Sequence, residues 1–197
     1  MSENVDIGQY VSGADISLPD IPMPEPVEEE KKVVNDEVEV AYNFCFIGSG
    51  QGGSRLAETF HGFGYRKVCA LNPEKQDLNT IKLENKLCIG DGGAGKDPEV
   101  ARKVFESKKE DVLDFMRYSF GENFDRIFIC VGAGGGTGAG TLAPLVRTSK
   151  DLQETLGIEN NKVGVIVALP KNSEGKRVNA NAYESLKEIY KLKHNIS

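Results

Sequence analysis

An α/β domain, doubly wound around a mostly parallel sheet of about five strands with helices on both faces, is the fold class this sequence predicts. Three observations carry that prediction. Short apolar runs rich in Val, Ile, Phe and Cys recur between residues 41 and 169. Most lack the apolar–polar alternation of a half-solvated strand, as expected of strands covered on both faces. Segments with helical apolar spacing separate these runs, the pattern of crossover connections between parallel strands. Glycine clusters stand directly after apolar runs, at 48–53, 90–96 and 132–140. Ligands of such sheets bind at the carboxyl ends of the strands, so the clusters are expected to share one site.

Taken in order, residues 1–38 stand apart. Pro19, Pro22, Pro24 and Pro26 precede Glu28-Glu29-Glu30-Lys31-Lys32, with few aromatics and no sustained periodicity. That composition predicts a disordered acidic extension. Residues 15–21 alternate in polarity, which reads either as solvated tail or as a short docking segment for a partner. The domain proper is expected over 39–197. A first strand over 41–47 leads into Gly48-Ser49-Gly50-Gln51-Gly52-Gly53, and a helix over 54–63 follows with Leu56, Phe60 and Phe63 on one face. A second strand covers 67–71 and ends at Asn72-Pro73-Glu74. A short helix through Leu78 and Ile81 precedes a third strand over 86–89. Asp97-Pro98-Glu99 joins an N-cap acceptor, a proline at the first helical position and a first-turn acid. It opens one long or two broken helices reaching about residue 120. The fourth strand spans 125–131, the next helix 141–156, the fifth strand 162–169 and a last helix 177–193.

Bulk properties bound the function classes. At 197 residues the chain allows one domain with an appendage. Residues 1–40 hold eleven acids and two lysines, a balance of −9, against +3 for the remainder. A body so weakly basic suits an anionic small ligand and falls short of a nucleic-acid footprint. No apolar run is long enough to span a bilayer, and the N-terminus lacks the basic and apolar regions of a secretory signal, so a cytoplasmic compartment is expected. Cys45, Cys69, Cys88 and Cys130 each sit in an apolar run without C-x-x-C spacing. They read as small buried hydrophobes rather than zinc ligands or a redox pair.

The chemistry concentrates in Gly132-Ala133-Gly134-Gly135-Gly136-Thr137-Gly138-Ala139-Gly140, where six of nine residues are glycine. Each glycine costs about 0.5–1 kcal/mol of ordering entropy relative to alanine, more than a mere connection requires. A strand, a loop almost without side chains and a helix start together present backbone amides to a phosphate chain. The first loop alone, Gly48-x-Gly50-x-x-Gly53 with Glu74 downstream, also reads as a dinucleotide-binding Rossmann-like fingerprint. That reading leaves the nine-residue loop unexplained. Several phosphate-facing loops suit a triphosphate held along its length.

The run from Gly134 to Gly140 closely resembles the tubulin signature G-G-G-T-G-[ST]-G of the tubulin/FtsZ superfamily, with Ala139 in the bracketed place. Gly50-Gln51-Gly52-Gly53 resembles its first phosphate loop, and Asn72-Pro73-Glu74 stands where the family has Asn-Thr-Asp. Gly93-Ala94-Gly95-Lys96-Asp97-Pro98-Glu99-Val100 is similar to the FtsZ stretch G-A-G-A-N-P-E-V. Residues 170–175 resemble P-F-x-F-E-G. The resemblance covers about residues 42–193. It implies binding of GTP or GDP with Mg2+ by subunits that stack head to tail into filaments. It places amides of Gly50, Gln51, Gly52 and Gly53, and of Gly132, Gly134, Gly135, Gly136 and Gly138, on the α- and β-phosphates. Ala94, Gly95 and Lys96 then approach the γ-phosphate, Asn72 and Glu74 lie in the second loop, and Glu174 lies at the ribose. Lys96 either adds a cation there or is a solvent-facing loop lysine. Thr137 gives its hydroxyl to phosphate or metal, or caps a helix.

Departures from the family pattern bear on mechanism. Pro73-Glu74 replaces Thr-Asp. Arg55 occupies the position of the asparagine or glutamine that helps hold the base. In the family a later helix carries a loop that completes the neighbouring subunit's hydrolytic site, and the sequence ends at Ser197 before it. The expectation is therefore a GTP-binding domain, apparently truncated before a sixth strand, with little turnover on its own. It belongs either to a longer filament-forming GTPase or to a shortened relative. Two alternatives stand beside it: a non-catalytic GTP-binding cap or regulator of a filament, and a dinucleotide-binding enzyme.

Overall fold

A computed structural model describes residues 42–158 and 162–195. The expected acidic extension, and with it the segment 15–21 read as solvated tail or docking segment, lies outside the described residues. Five strands form one sheet in the order β3-β2-β1-β4-β5: β1 (Phe44–Ser49), β2 (Val68–Asn72), β3 (Lys86–Cys88), β4 (Arg126–Gly132) and β5 (Val163–Ala168). Every pairing is parallel; Ile47 registers with Cys69 on one side and Ile129 on the other.

Residue alternation along the central strands sorts two cores. Cys45, Ile47, Cys69, Leu71, Ile127 and Ile129 point to a face packed with Phe105, Val112, Met116, Phe120, Leu142 and Leu145. Those partners come from α3 (Pro98–Ser107), α4 (Lys109–Phe120) and α5 (Gly136–Thr155). Ile189 and Leu192 of α6 (Lys176–Asn195) pack against the same core with Val163, Val165 and Val167. Phe46, Val68, Ala70 and Cys130 face the other way, against Ala57 of α1 (Gly50–Gly62) and Leu78 of α2 (Lys75–Asn79). Helices thus cover both faces, as the runs without alternation predict.

Two helices begin earlier than the sequence suggests. α1 starts at Gly50 rather than near residue 54, and α5 at Gly136 rather than near 141. Glycine has poor helix propensity, so its clusters read as loop. Packing overrides the propensity. A Cβ on Gly53 would land on the Cys130 carbonyl, and one on Gly140 on the Pro98 carbonyl. These first turns lie so close to β4 and α3 that only glycine fits. Asp97 caps α3 as expected, Oδ1 accepting from the Glu99 N–H at 3.0 Å. Lys108, at φ −120°, then separates α3 from α4, so the segment is two helices.

One sequence expectation fails. Cys45, Cys69 and Cys130 are fully buried, but Cys88 is exposed, because β3 is an edge strand and ends there. Burial pushes the Cys45 and Cys130 thiols up to about 12 and the Cys69 thiol in the same direction.

Candidate functional site

The carboxyl ends of β1, β2, β4 and β5 open into a cavity of about 730 Å3. Its floor is backbone. Ser49, Gly50, Gln51 and Gly52 enter from the β1–α1 junction, and Gly132, Gly134, Gly135, Gly136, Thr137 and Gly138 from the β4–α5 junction. The two junctions touch: a Cβ on Gly50 would sit 3.1 Å from the Gly138 nitrogen and 3.1 Å from Thr137 Cβ. Gly50 also takes φ +69°, a backbone conformation costly for any other residue.

Neither α1 nor α5 has a side-chain cap at its N-terminus. The first N–H groups of a helix lack intrahelical partners, so two sets of free donors and two positive dipole ends converge here. Beneath them the Thr141 hydroxyl donates to the Thr137 carbonyl at 2.9 Å, and the buried Ser49 hydroxyl donates to Thr141 at 2.6 Å. This chain of bonds clamps the end of β1 to the first turn of α5.

Gly93, Ala94, Gly95 and Lys96 form the next wall. Gly95 and Lys96 have φ of +57° and +62°, and Lys96 is the one non-glycine residue with positive φ among the described residues. An L residue held there costs about 1–2 kcal/mol. Asn181 of α6 holds the turn: Nδ2 donates to the Lys96 carbonyl at 3.0 Å and to the Gly134 carbonyl at 3.3 Å, joining two walls. A third wall brings Ala168, Leu169, Pro170 and Glu174, with Val178 behind. A short 3-10 turn, Asn172–Glu174, places Glu174, whose carboxylate accepts the Lys171 N–H at 2.8 Å.

The cavity therefore gathers Gly50, Gln51, Gly52, Asn72, Ala94, Gly95, Lys96, Gly132, Gly134, Gly135, Gly136, Thr137, Gly138 and Glu174 from the residues singled out in the sequence. Three others are not on its wall. Gly53 is buried against β4. Arg55 is exposed on α1. Glu74 turns to the backbone, accepting the Gln76 N–H at 3.3 Å as the cap of α2 and the Gly93 N–H at 2.9 Å. Its carboxylate braces the Gly93 loop from behind. The sequence reading missed Asp77, which lines the cavity, and Asn181, which ties it. Asp77 lies three residues beyond the motif Asn72-Pro73-Glu74, and Asn181 acts through a helix whose amphipathic pattern says nothing of loop contacts.

The described residues contain no cluster of three or more His, Cys, Asp or Glu side chains suited to a metal ion. No described helix is long and apolar enough to cross a membrane.

Comparison with known proteins agrees with this geometry. CetZ2 of Haloferax volcanii, solved as a GTPγS-bound protofilament, superposes with a TM-score of 0.66 at 30% identity, over 75% of this chain and 46% of that one. CetZ1 of the same organism, a GDP-bound monomer, gives 0.66 at 25% identity, over 74% and 47%. Cell division protein FtsZ 1 of Pyrococcus furiosus is 28% identical over 197 residues, 96% of this chain and 49% of that protein. The chain spans about half the length of the relatives it matches. The family model "Tubulin/FtsZ family, GTPase domain" matches residues 43–196, all five strands and the whole cavity, and the chain accordingly belongs to the tubulin/FtsZ family through its GTPase domain.

Proposed function

We propose that this chain binds GTP or GDP with Mg2+ as the nucleotide domain of a filament-forming GTPase. The observation that carries the reading is the meeting of two uncapped helix N-termini, α1 and α5, across a floor of glycines. Such a floor offers amide donors and dipole ends to phosphate and no side chain to obstruct it. Its volume falls in the range of small-molecule sites, and the backbone crowding at Gly138, where a Cβ would lie 2.6 Å from the Gly132 carbonyl, keeps the amides at the surface. Gly50–Gly52 and Gly134–Gly138 hold the α- and β-phosphates, Ala94–Lys96 the γ-phosphate, and Glu174 the ribose. Mg2+ takes hard oxygen donors, and the Thr137 hydroxyl is one such group on the wall. When bound, the ion neutralises charge on the phosphates.

Among the lining residues the carboxylates are Asp77 and Glu174, and Glu174 already holds the Lys171 N–H. Groups that grip phosphate far outnumber groups that can orient a water. This supports hydrolysis completed by a residue from an adjacent subunit. Similarity to CetZ2, solved as a protofilament, supports head-to-tail stacking, and similarity to a cell division protein FtsZ supports residence in the cytoplasm. The same lining equally favours a second reading, a GTP-binding cap or regulator without turnover. Calorimetric titration with GTP, ATP and NAD tests the nucleotide; tight NAD binding without a GTP response sinks the proposal. Turnover measured against protein concentration separates the two readings. A rise steeper than linear marks assembly-dependent hydrolysis, and intact binding with no turnover marks the cap.

A further inference from the structure

Asn72 and Asp77 form a device that the glycine loops do not explain. Asn72 ends β2 and is 1% exposed. Its Oδ1 accepts the Glu74 N–H at 3.1 Å, which fixes the amide, so Nδ2 faces Asp77 and donates to Oδ2 at 3.0 Å. One carboxylate oxygen of Asp77 is thereby anchored. The other has no hydrogen bond among the described residues, and Asp77 lines the cavity with Gly93, Ala94, Gly95 and Lys96. Of the two acids at the start of α2, Glu74 is spent on the Gln76 and Gly93 amides, while Asp77 presents a free oxygen.

We infer that Asp77, aimed by buried Asn72, is the carboxylate through which this chain takes the divalent cation that accompanies the nucleotide. The inference rests on the nucleotide reading above. A carboxylate on the wall of a polyphosphate site repels the ligand unless a cation stands between them. Mg2+ is characteristically held by one or two carboxylates together with substrate phosphates, so one anchored carboxylate is a sufficient protein contribution. Asp77 also lies in the first turn of α2, where an acid favours the helix end. A purely local role there predicts no dependence on cations, and that difference is measurable.

The test is the ratio of affinities for a slowly hydrolysed GTP analogue in excess Mg2+ and in EDTA, measured by calorimetry on the full chain and on Asp77→Asn. The substitution keeps shape and an acceptor for Asn72. Unsubstituted protein should gain about tenfold or more from Mg2+, and D77N about threefold or less, a loss typical of one coupling contact. In EDTA, D77N should bind as well as the unsubstituted protein or more tightly, because a repelling charge is gone. Asp77→Ser, which also removes the charge, should behave alike, and melting curves of both variants report their folding. GTP binding with an unchanged Mg2+ ratio in both variants overturns the assignment alone. So does an equal loss of affinity with and without Mg2+. Failure of the unsubstituted protein to bind the analogue overturns the nucleotide reading and this assignment with it.

Discussion

Gly136 shows how little room a residue in this cavity has. Its φ is outside the left-handed region, so backbone freedom is not what demands glycine there. A Cβ would lie 2.7 Å from the Asp97 nitrogen and 3.0 Å from both Ala94 Cβ and the Lys96 carbonyl carbon. Those atoms are backbone or a methyl and cannot swing aside. Gly136→Ala should therefore push the 94–97 loop away and weaken GTP by about tenfold, the low end of overpacking costs of 1–3 kcal/mol. Gly136→Val should abolish binding. Gly92 is the control: a Cβ there meets nothing within 4 Å and its φ is not positive, so Gly92→Ala should leave affinity unchanged. Equal effects from Gly92→Ala and Gly136→Ala would remove the crowding argument. The cysteines give a second residue-scale test. With Cys45 and Cys130 pushed up to about 12, the ionised fraction at pH 8 is about one in ten thousand, and Cys69 is shifted in the same direction. Folded protein should titrate one thiol, exposed Cys88, with a thiol-reactive dye at pH 8, and all four after denaturation. Three fast thiols in the folded state would contradict the burial.

At the scale of elements, α6 is what makes two walls one site. Asn181 bonds the Lys96 and Gly134 carbonyls, and Arg102 of α3 forms a two-pronged ion pair with Glu188 of α6, with contacts of 2.8 and 3.2 Å. α3 follows the Ala94–Lys96 wall and α6 follows the Glu174 wall, so the pair fastens together the helices behind both. Asn181→Ala removes two bonds of about 1 kcal/mol each and frees a strained turn. The Ala94–Lys96 wall is assigned to the γ-phosphate, so the loss should fall unevenly. GTPγS affinity should drop about tenfold and GDP affinity about threefold or less, since a net bond is worth about 1 kcal/mol. Equal losses in parallel titrations would show that Asn181 supports only the general fold. The same elements mark the limit of what is legible in sequence. The five strands, the helices between them and the placing of the glycine clusters after strands follow from apolar runs and spacing, because a parallel sheet buries both faces of each strand; the strand order β3-β2-β1-β4-β5 does not. The starts of α1 and α5 do not follow, since they depend on how near the Cys130 and Pro98 carbonyls lie. Asp77 is not legible for a related reason: its place on the cavity wall is fixed by the buried Asn72 side chain, a tertiary contact.

For the whole molecule, one cavity draws on the ends of β1, β2, β4 and β5 and on the loop before α3, so a ligand there bridges nearly every crossover in the sheet. Local opening of any wall releases it. Binding should therefore oppose unfolding of the domain as a unit rather than stabilise one loop. A ligand at 100 times its Kd adds about 2.7 kcal/mol to a native state that alone binds it. For a domain of this size each kcal/mol is worth about 2–4 °C in Tm, so GTP with Mg2+ should raise the midpoint by about 5–10 °C in a single cooperative step. NAD at the same concentration should leave it unchanged. Asp77→Asn should keep the shift in EDTA and lose most of the further increment that Mg2+ brings, which ties the carboxylate to the cation through stability as well as affinity. A two-step melt in which GTP moves only one step would mean that the walls unfold separately. A midpoint indifferent to GTP and raised by NAD would return the glycine floor to a dinucleotide.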